Sequence, residues 1–179
     1  MTNERLWAPW RIGYIKQAHS SSAPAAQLGP LLDGADPNCF LCRAAVEPIG
    51  LENLVLRQGP HSVVVLNRYP YNNGHLLVGP RLHKATLAEL TDDEALDMHR
   101  DLARFVRLLE REVSAQGFNV GLNLGRVAGA GVPGHLHWHI VPRWAGDINF
   151  MTTLAGVQVI PQALEALWEI LRAGLAKGE

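Results

Sequence analysis

A chain of 179 residues, 47% hydrophobic and 18% charged, can bury one substantial core, which excludes a disordered chain and suits one domain with an elaborated terminus. Lys and Arg total 16 against 17 Asp and Glu, a net charge of -1, so no global field draws it to a nucleic acid polymer, although a local basic pocket can still hold a phosphate. No run approaches the ~18 apolar residues of a spanning helix, and residues 1–11 lack the apolar core of a signal peptide, so the expected partners exclude a membrane and the expected location is the cytoplasm.

The opening Leu6-Trp7-Ala8-Pro9-Trp10-Arg11 is too aromatic for a loose tail and should pack on this chain's sheet or on a partner subunit. Residues 19–37 turn to Ser, Ala, Gly and Pro and read as a mobile loop, which completes an amino-terminal arm over residues 1–37. Short strands are expected over residues 54–57 and, with three consecutive valines, 62–66. Tyr69-Pro70-Tyr71-Asn72-Asn73-Gly74 is a turn, followed by an apolar strand over 75–78. Thr91 with Glu94 offers a capping box to a long helix, whose buried stripe is Leu102, Phe105, Val106, Leu109 and Val113 and which Gly117 should end. A strand over 118–124 leads into a turn containing Gly125, Gly129 and Gly131. Residues 38–150 make the main domain. A carboxy-terminal extension, 151–179, should pack on it through a helix that begins at Pro161 and buries Leu164, Leu167, Trp168 and Leu171. Sequential strands flanked by two helices predict an α+β fold with a mainly antiparallel sheet.

Within residues 135–141, His135, His137 and His139 alternate with Leu136, Trp138 and Ile140. As a strand, this run puts the three imidazoles on one face, roughly 6.6 Å apart, and an apolar underside on the other. Burying three unsatisfied polar rings is expensive. The face is therefore reactive or metal-bearing, the alternatives being a surface cluster and a purely structural metal site.

Cys39 and Cys42, the only cysteines, are spaced Cys-x-x-Cys. A redox pair of this type usually opens a helix after a strand in a thioredoxin-like unit. Here it follows a Gly/Pro-rich loop, so a metal knuckle is the other reading, and zinc would need two further ligands. His83, just beyond the apolar strand, and His135 are the candidates among eight histidines. Such a site would clip the early loop to the sheet and fix His135 as a neutral ligand.

His135-Leu136-His137-Trp138-His139-Ile140-Val141 resembles the signature of the histidine triad nucleotide-binding family. The resemblance extends to Asn67, to Gly74-His75-Leu76-Leu77-Val78 and to Asn123 before the glycine-rich turn. The opening six-residue motif, with Pro142-Arg143-Trp144 and Asn149-Phe150, resembles the branch containing bacterial diadenosine tetraphosphate phosphorylases. The likeness implies one structural zinc on Cys39, Cys42, His83 and His135, no organic cofactor, and a homodimer. It implies a nucleotidyl hydrolase or transferase acting on adenine dinucleoside polyphosphates, with His137 as nucleophile toward the α-phosphorus. His139 and Asn123 would assist; Asn67, Asn123, Gly129, Gly131 and His139 would bind nucleotide and phosphate. Asn67 can equally cap its turn. His75 stays outside the catalytic set. Trp144 would close over a base or seal the dimer, and Arg126 is a polyphosphate contact or a surface residue. Where other branches carry Gln or Ser, this chain has Gly131 and Val132, which weakens both a simple transfer of the phosphoramidase reaction and the phosphorylase assignment and keeps open a weakly active nucleotide-binding protein; nucleoside phosphoramidate hydrolysis is the second enzymatic reading.

Overall fold

The alternating segments pair into one sheet whose two faces differ in character. The computed structural model describes residues 29–147 and 160–178, so the aromatic motif at 6–11 and the pair Asn149, Phe150 lie outside the described residues. The chain divides into two compact units; the larger is Gly29–Ala145 with Ile160–Glu179. Strands β1 Val55–Gln58, β2 Ser62–Leu66, β3 Leu76–Pro80, β4 Gly117–Leu122 and β5 Trp138–Arg143 run in the order β1-β2-β3-β5-β4. All neighbours are antiparallel. With helices α1 Phe40–Ala44, α2 Asp92–Val113 and α3 Leu164–Lys177, this is the expected α+β class.

Register assigns the faces. Val65 pairs with Leu77, Leu77 with His139, and His139 with Gly121, so these share one face. Leu66, Leu76, Ile140 and Val120 share the other. The second face receives Met98, Leu102, Phe105 and Leu109 of α2 and Leu167, Leu171 and Leu175 of α3 in one apolar cluster. At roughly 1.5–3 kcal/mol per buried Leu or Phe side chain, this layer drives the fold.

The start of α2 follows the sequence: the Thr91 side chain accepts from Glu94 N at 3.3 Å, and the Glu94 carboxylate accepts from Thr91 N at 2.8 Å. Lys84 Nζ also reaches Glu94, at 2.6 Å, which ties the segment after β3 to the helix. Two expected boundaries shift. α2 stops at Val113 because Ser114 adopts a left-handed conformation, φ 53°, and Gln116 N then bonds Arg143 O at 2.9 Å; Gly117 opens β4 instead of ending the helix. α3 begins at Leu164, after Ala163, not at Pro161.

The sheet's two edges are treated differently. Trp168 Nε1 and Arg172 Nη1 of α3 donate to Val55 O at 3.0 Å and Leu56 O at 2.7 Å, so β1 is covered. At the opposite edge, β4 pairs only with β5 among the described residues. Among those residues, no helix is long and apolar enough to cross a membrane.

Candidate functional site

The expected strand over 135–141 starts later, at Trp138. Leu136 N still bonds Lys84 O at 2.6 Å, but His135 and His137 precede the ladder, and each imidazole turns to its own neighbours.

His135 turns toward α1. Its Nδ1 lies 3.3 Å from Cys39 Sγ and 3.5 Å from Cys42 Sγ, and His83 Nδ1 lies 3.2 Å from Cys42 Sγ. These four donor atoms all fall within 4.8 Å of one another. Zinc–sulfur bonds of ~2.3 Å and zinc–nitrogen bonds of ~2.0–2.1 Å in a tetrahedron require donors roughly 3.3–3.8 Å apart, so the arrangement fits a metal with two sulfur and two nitrogen ligands. His135 Nε2 donates to Pro80 O at 2.9 Å, which leaves Nδ1 bare for coordination. Burial pushes His135 down to about 4 and Cys39 up to about 12, so the imidazole is neutral and the thiol needs a cation to ionise. The cysteines are not disulfide-bonded. Gly134 leaves room for this site, because a Cβ there would stand 3.2 Å from His83 Nε2.

His137 is 7% exposed, and its Nδ1 donates to His135 O at 2.8 Å. That bond fixes the tautomer: Nε2 carries the lone pair. Burial also lowers the pKa of His137, against the opposing pull of its bond to His135 O, which favours the neutral ring, the form a nucleophilic imidazole requires. One residue thus serves two sites: the His135 ring faces the sulfurs while its carbonyl holds His137.

The third imidazole belongs to a chain of hydrogen bonds whose direction backbone donors determine. Tyr71 N can only donate, and it lies 3.0 Å from His75 Nδ1. Asn67 Oδ1 accepts from Tyr69 N at 3.0 Å, which turns the Asn67 amide NH2 toward the same His75 nitrogen at 3.1 Å. His75 therefore carries its proton on Nε2 and donates it to His139 Nδ1 at 2.9 Å. His139 must then hold its proton on Nε2, a buried atom with no partner among the described residues. Burial, then the neighbouring imidazoles, push His75 down to about 3 and His139 down to about 4. The result is a bare nitrogen on His137 beside an unsatisfied N–H donor on His139, with ring centroids 5.0 Å apart. An electrophilic phosphorus with its oxygens suits that pair.

Asn123 lies with His139 in a surface groove that also includes Tyr71, Asn119, Gly121 and Val141. Gly129, at φ 89°, takes a left-handed turn open to glycine, and a Cβ on it would stand 3.9 Å from Asn123 Nδ2. Gly131 is exposed in the same loop. Val132 packs instead on the apolar cluster around Cys39, Cys42 and Leu77. Arg126 is exposed, at the first residue of a 3-10 turn, Arg126–Ala128. Trp144 belongs to the other side of the sheet: its Nε1 donates to Val113 O at 3.1 Å, and its ring packs on the helix-side cluster. Sequence reasoning set His75 aside and read Tyr71 only as a turn residue. The usable signal was parity, since His75 stands two residues before Leu77, which shares a face with His139.

Known proteins resemble this chain in sequence and in fold. A model of the HIT domain matches residues 51–146. The chain is 38% identical, over 97% of its length and 85% of the relative's, to the AP-4-A phosphorylase of Mycobacterium tuberculosis. A zinc-bound histidine triad family protein from Mycobacterium smegmatis superposes with TM-score 0.57 at 26% identity, covering 69% of this chain and 84% of that one. A histidine triad nucleotide-binding protein from Sulfolobus tokodaii gives TM-score 0.58 at 26% identity, with the same 69% and 84% coverage. A match over more than half the chain, joined to near full-length similarity and to this histidine geometry, makes the chain a member of the HIT domain family.

Proposed function

We propose that this protein transfers or hydrolyses nucleotidyl groups of adenine dinucleoside polyphosphates through a covalent intermediate on His137. The observation that carries the reading is the locked His137 tautomer beside the unsatisfied His139 donor. The His137 Nε2 lone pair attacks the α-phosphorus, a nitrogen–phosphorus bond forms, and the bond to the bridging oxygen breaks. The electron pair leaves with the distal nucleotide. His137 becomes a substituted imidazolium whose Nδ1–H stays on His135 O. Water or phosphate then attacks the phosphorus, loses its proton to solvent, and returns the pair to Nε2.

In this reading, His139 Nε2–H and Asn123 stabilise charge on the phosphoryl oxygens, with main-chain N–H groups around Gly129 and Gly131. Asn67 acts near the ribose and α-phosphate by holding His75. Val132 offers no hydroxyl to the departing group, so His139 carries that role. The similarity to a mycobacterial AP-4-A phosphorylase supports the substrate class.

Cys39, Cys42, His83 and His135 would hold one structural zinc, closed by four protein ligands and therefore without an open position for substrate. Its contribution is to fix α1 on the sheet. Two unbridged cysteines in a metal-type set accord with a reducing, cytoplasmic location. A β4 edge that pairs only with β5 among the described residues accords with a homodimer.

Purified protein incubated with diadenosine tetraphosphate, with and without phosphate, tests the reading. ADP plus ATP formed only with phosphate identifies phosphorolysis, and AMP plus ATP identifies hydrolysis. Unchanged substrate alongside rapid cleavage of an adenosine phosphoramidate rejects it.

A further inference from the structure

Tyr71 combines two properties that turn packing does not explain. Its ring stacks on His75, with centroids 4.8 Å apart and planes 26° apart, and reaches His139 at 5.9 Å and 29°. Yet the residue remains 46% exposed. An aromatic ring with one side on the site imidazoles and large exposed area elsewhere is a platform without a load.

The groove beside it is open to solvent and is lined by Tyr71, Asn119, Asn123 and His139, with Gly121 and Val141 of the paired strands β4 and β5 forming part of its floor. A Cβ on Gly121 would meet nothing within 4 Å, so the chain's own packing does not demand that glycine; it leaves the floor open. Arg143 Nη1 holds Asn119 Oδ1 at 3.0 Å, so Asn119 can offer a ligand its amide NH2 donors. His139, with its buried unsatisfied Nε2–H, belongs to this groove, whereas His137 does not line it.

Direction follows from the chemistry. A group displaced by His137 leaves on the side of phosphorus opposite that ring. His139 lines the groove with its ring centroid 5.0 Å from that of His137, so an oxygen departing on the His139 side faces the groove. We propose that this groove is the subsite for the departing half of a dinucleoside polyphosphate, with Tyr71 the aromatic wall on which its distal base stacks. The inference rests on His137 being the nucleophile toward the α-phosphorus. It assigns Tyr71, Gly121 and Asn119 to substrate selection, favouring an aromatic distal nucleoside over a small leaving group.

Binding to the catalytically silent His137→Ala protein tests the subsite without requiring turnover. Titration calorimetry compares AMP, which lacks a distal half, with diadenosine tetraphosphate. Adding Tyr71→Ala should weaken the dinucleotide about tenfold more than it weakens AMP, while Tyr71→Phe retains the ring and the affinity. Gly121→Val, which fills the floor, should discriminate in the same direction, and retained AMP binding verifies folding. Equal losses for both ligands, or no loss for either, overturn the subsite. If neither nucleotide binds the parent His137→Ala protein, the function reading fails and the subsite with it.

Discussion

One face of the sheet is divided into halves that use the same residue types for different ends. On the half under α1, His83 and His135 are drawn to Cys39 and Cys42 among Val55, Val63, Val65 and Leu77. On the other half, His137, His139 and His75 meet Asn67, Tyr71 and an open groove. All these rings are buried or half-buried, so burial alone does not separate structure from chemistry. What separates them is where the protons and lone pairs go. In the covered half, His135 Nδ1 and His83 Nδ1 gather with the two sulfurs, a donor set that could hold a cation. In the open half, the imidazole nitrogens are matched along a directed chain among the described residues except His137 Nε2 and His139 Nε2–H. On the proposed function, those two meet the substrate.

The largest effect should come from interchanging the halves by mutation. His137→Ala is expected to lower turnover at least ~10⁴-fold while the affinity for AMP, measured by calorimetry, stays within about threefold and the melting temperature barely moves. His135→Ala should instead lower the melting temperature and the bound metal. If His135→Ala spared stability, the division would be wrong.

Metal removal comes next. Elemental analysis should find about one zinc per chain, the stoichiometry of a closed four-ligand site, and less in Cys39→Ala. Loss of a structural site costs several kcal/mol. At about 2–4 °C per kcal/mol for a chain of this size, the melting temperature should fall by about 10 °C. An unchanged melting curve after chelation would remove the metal from the covered half.

The smallest effect is a pH dependence in the open half. Burial holds His75 at about 3 in the folded protein, below the ordinary value of 6.5, so the unfolded chain binds a proton first as acid is added. This contribution to stability is complete above pH 6.5 and is lost as the pH falls toward 3. His75→Gln retains a donor for His139 but cannot titrate. Its stability, followed by urea midpoints between pH 7 and 4.5, should fall less steeply than that of the unaltered protein, by up to about 1.4 kcal/mol per pH unit. Parallel slopes would mean that His75 is not held neutral.

Much of this organisation was legible in the chain. The capping box at Thr91 and Glu94, the stripes on α2 and α3, and the alternation after His135 are local patterns, and local sterics and periodicity fix them. Residues close in sequence revealed the Cys-x-x-Cys pair and the triad for the same reason. The boundaries at Ser114 and Leu164 were less legible: α2 ends where Ser114, a non-glycine residue, turns left-handed, and α3 starts after Ala163 with no side-chain cap to mark it. Spacing left Trp144 open between a base contact and a dimer seal, and the bond from its N–H to the carbonyl of Val113 became visible only in the fold.

The sequence by itself singled out the candidate residues for chemistry, because imidazoles, thiols and glycines at fixed spacings have few other uses. Only the tertiary structure decided which nitrogen of each ring is bare. That choice depends on partners brought from other segments: the acceptor Pro80 O for His135, the donors Tyr71 N and Asn67 for His75, and the donor His75 for His139. A hydrogen bond between distant segments has no signature in local spacing, since it forms only when the sheet register has set them side by side.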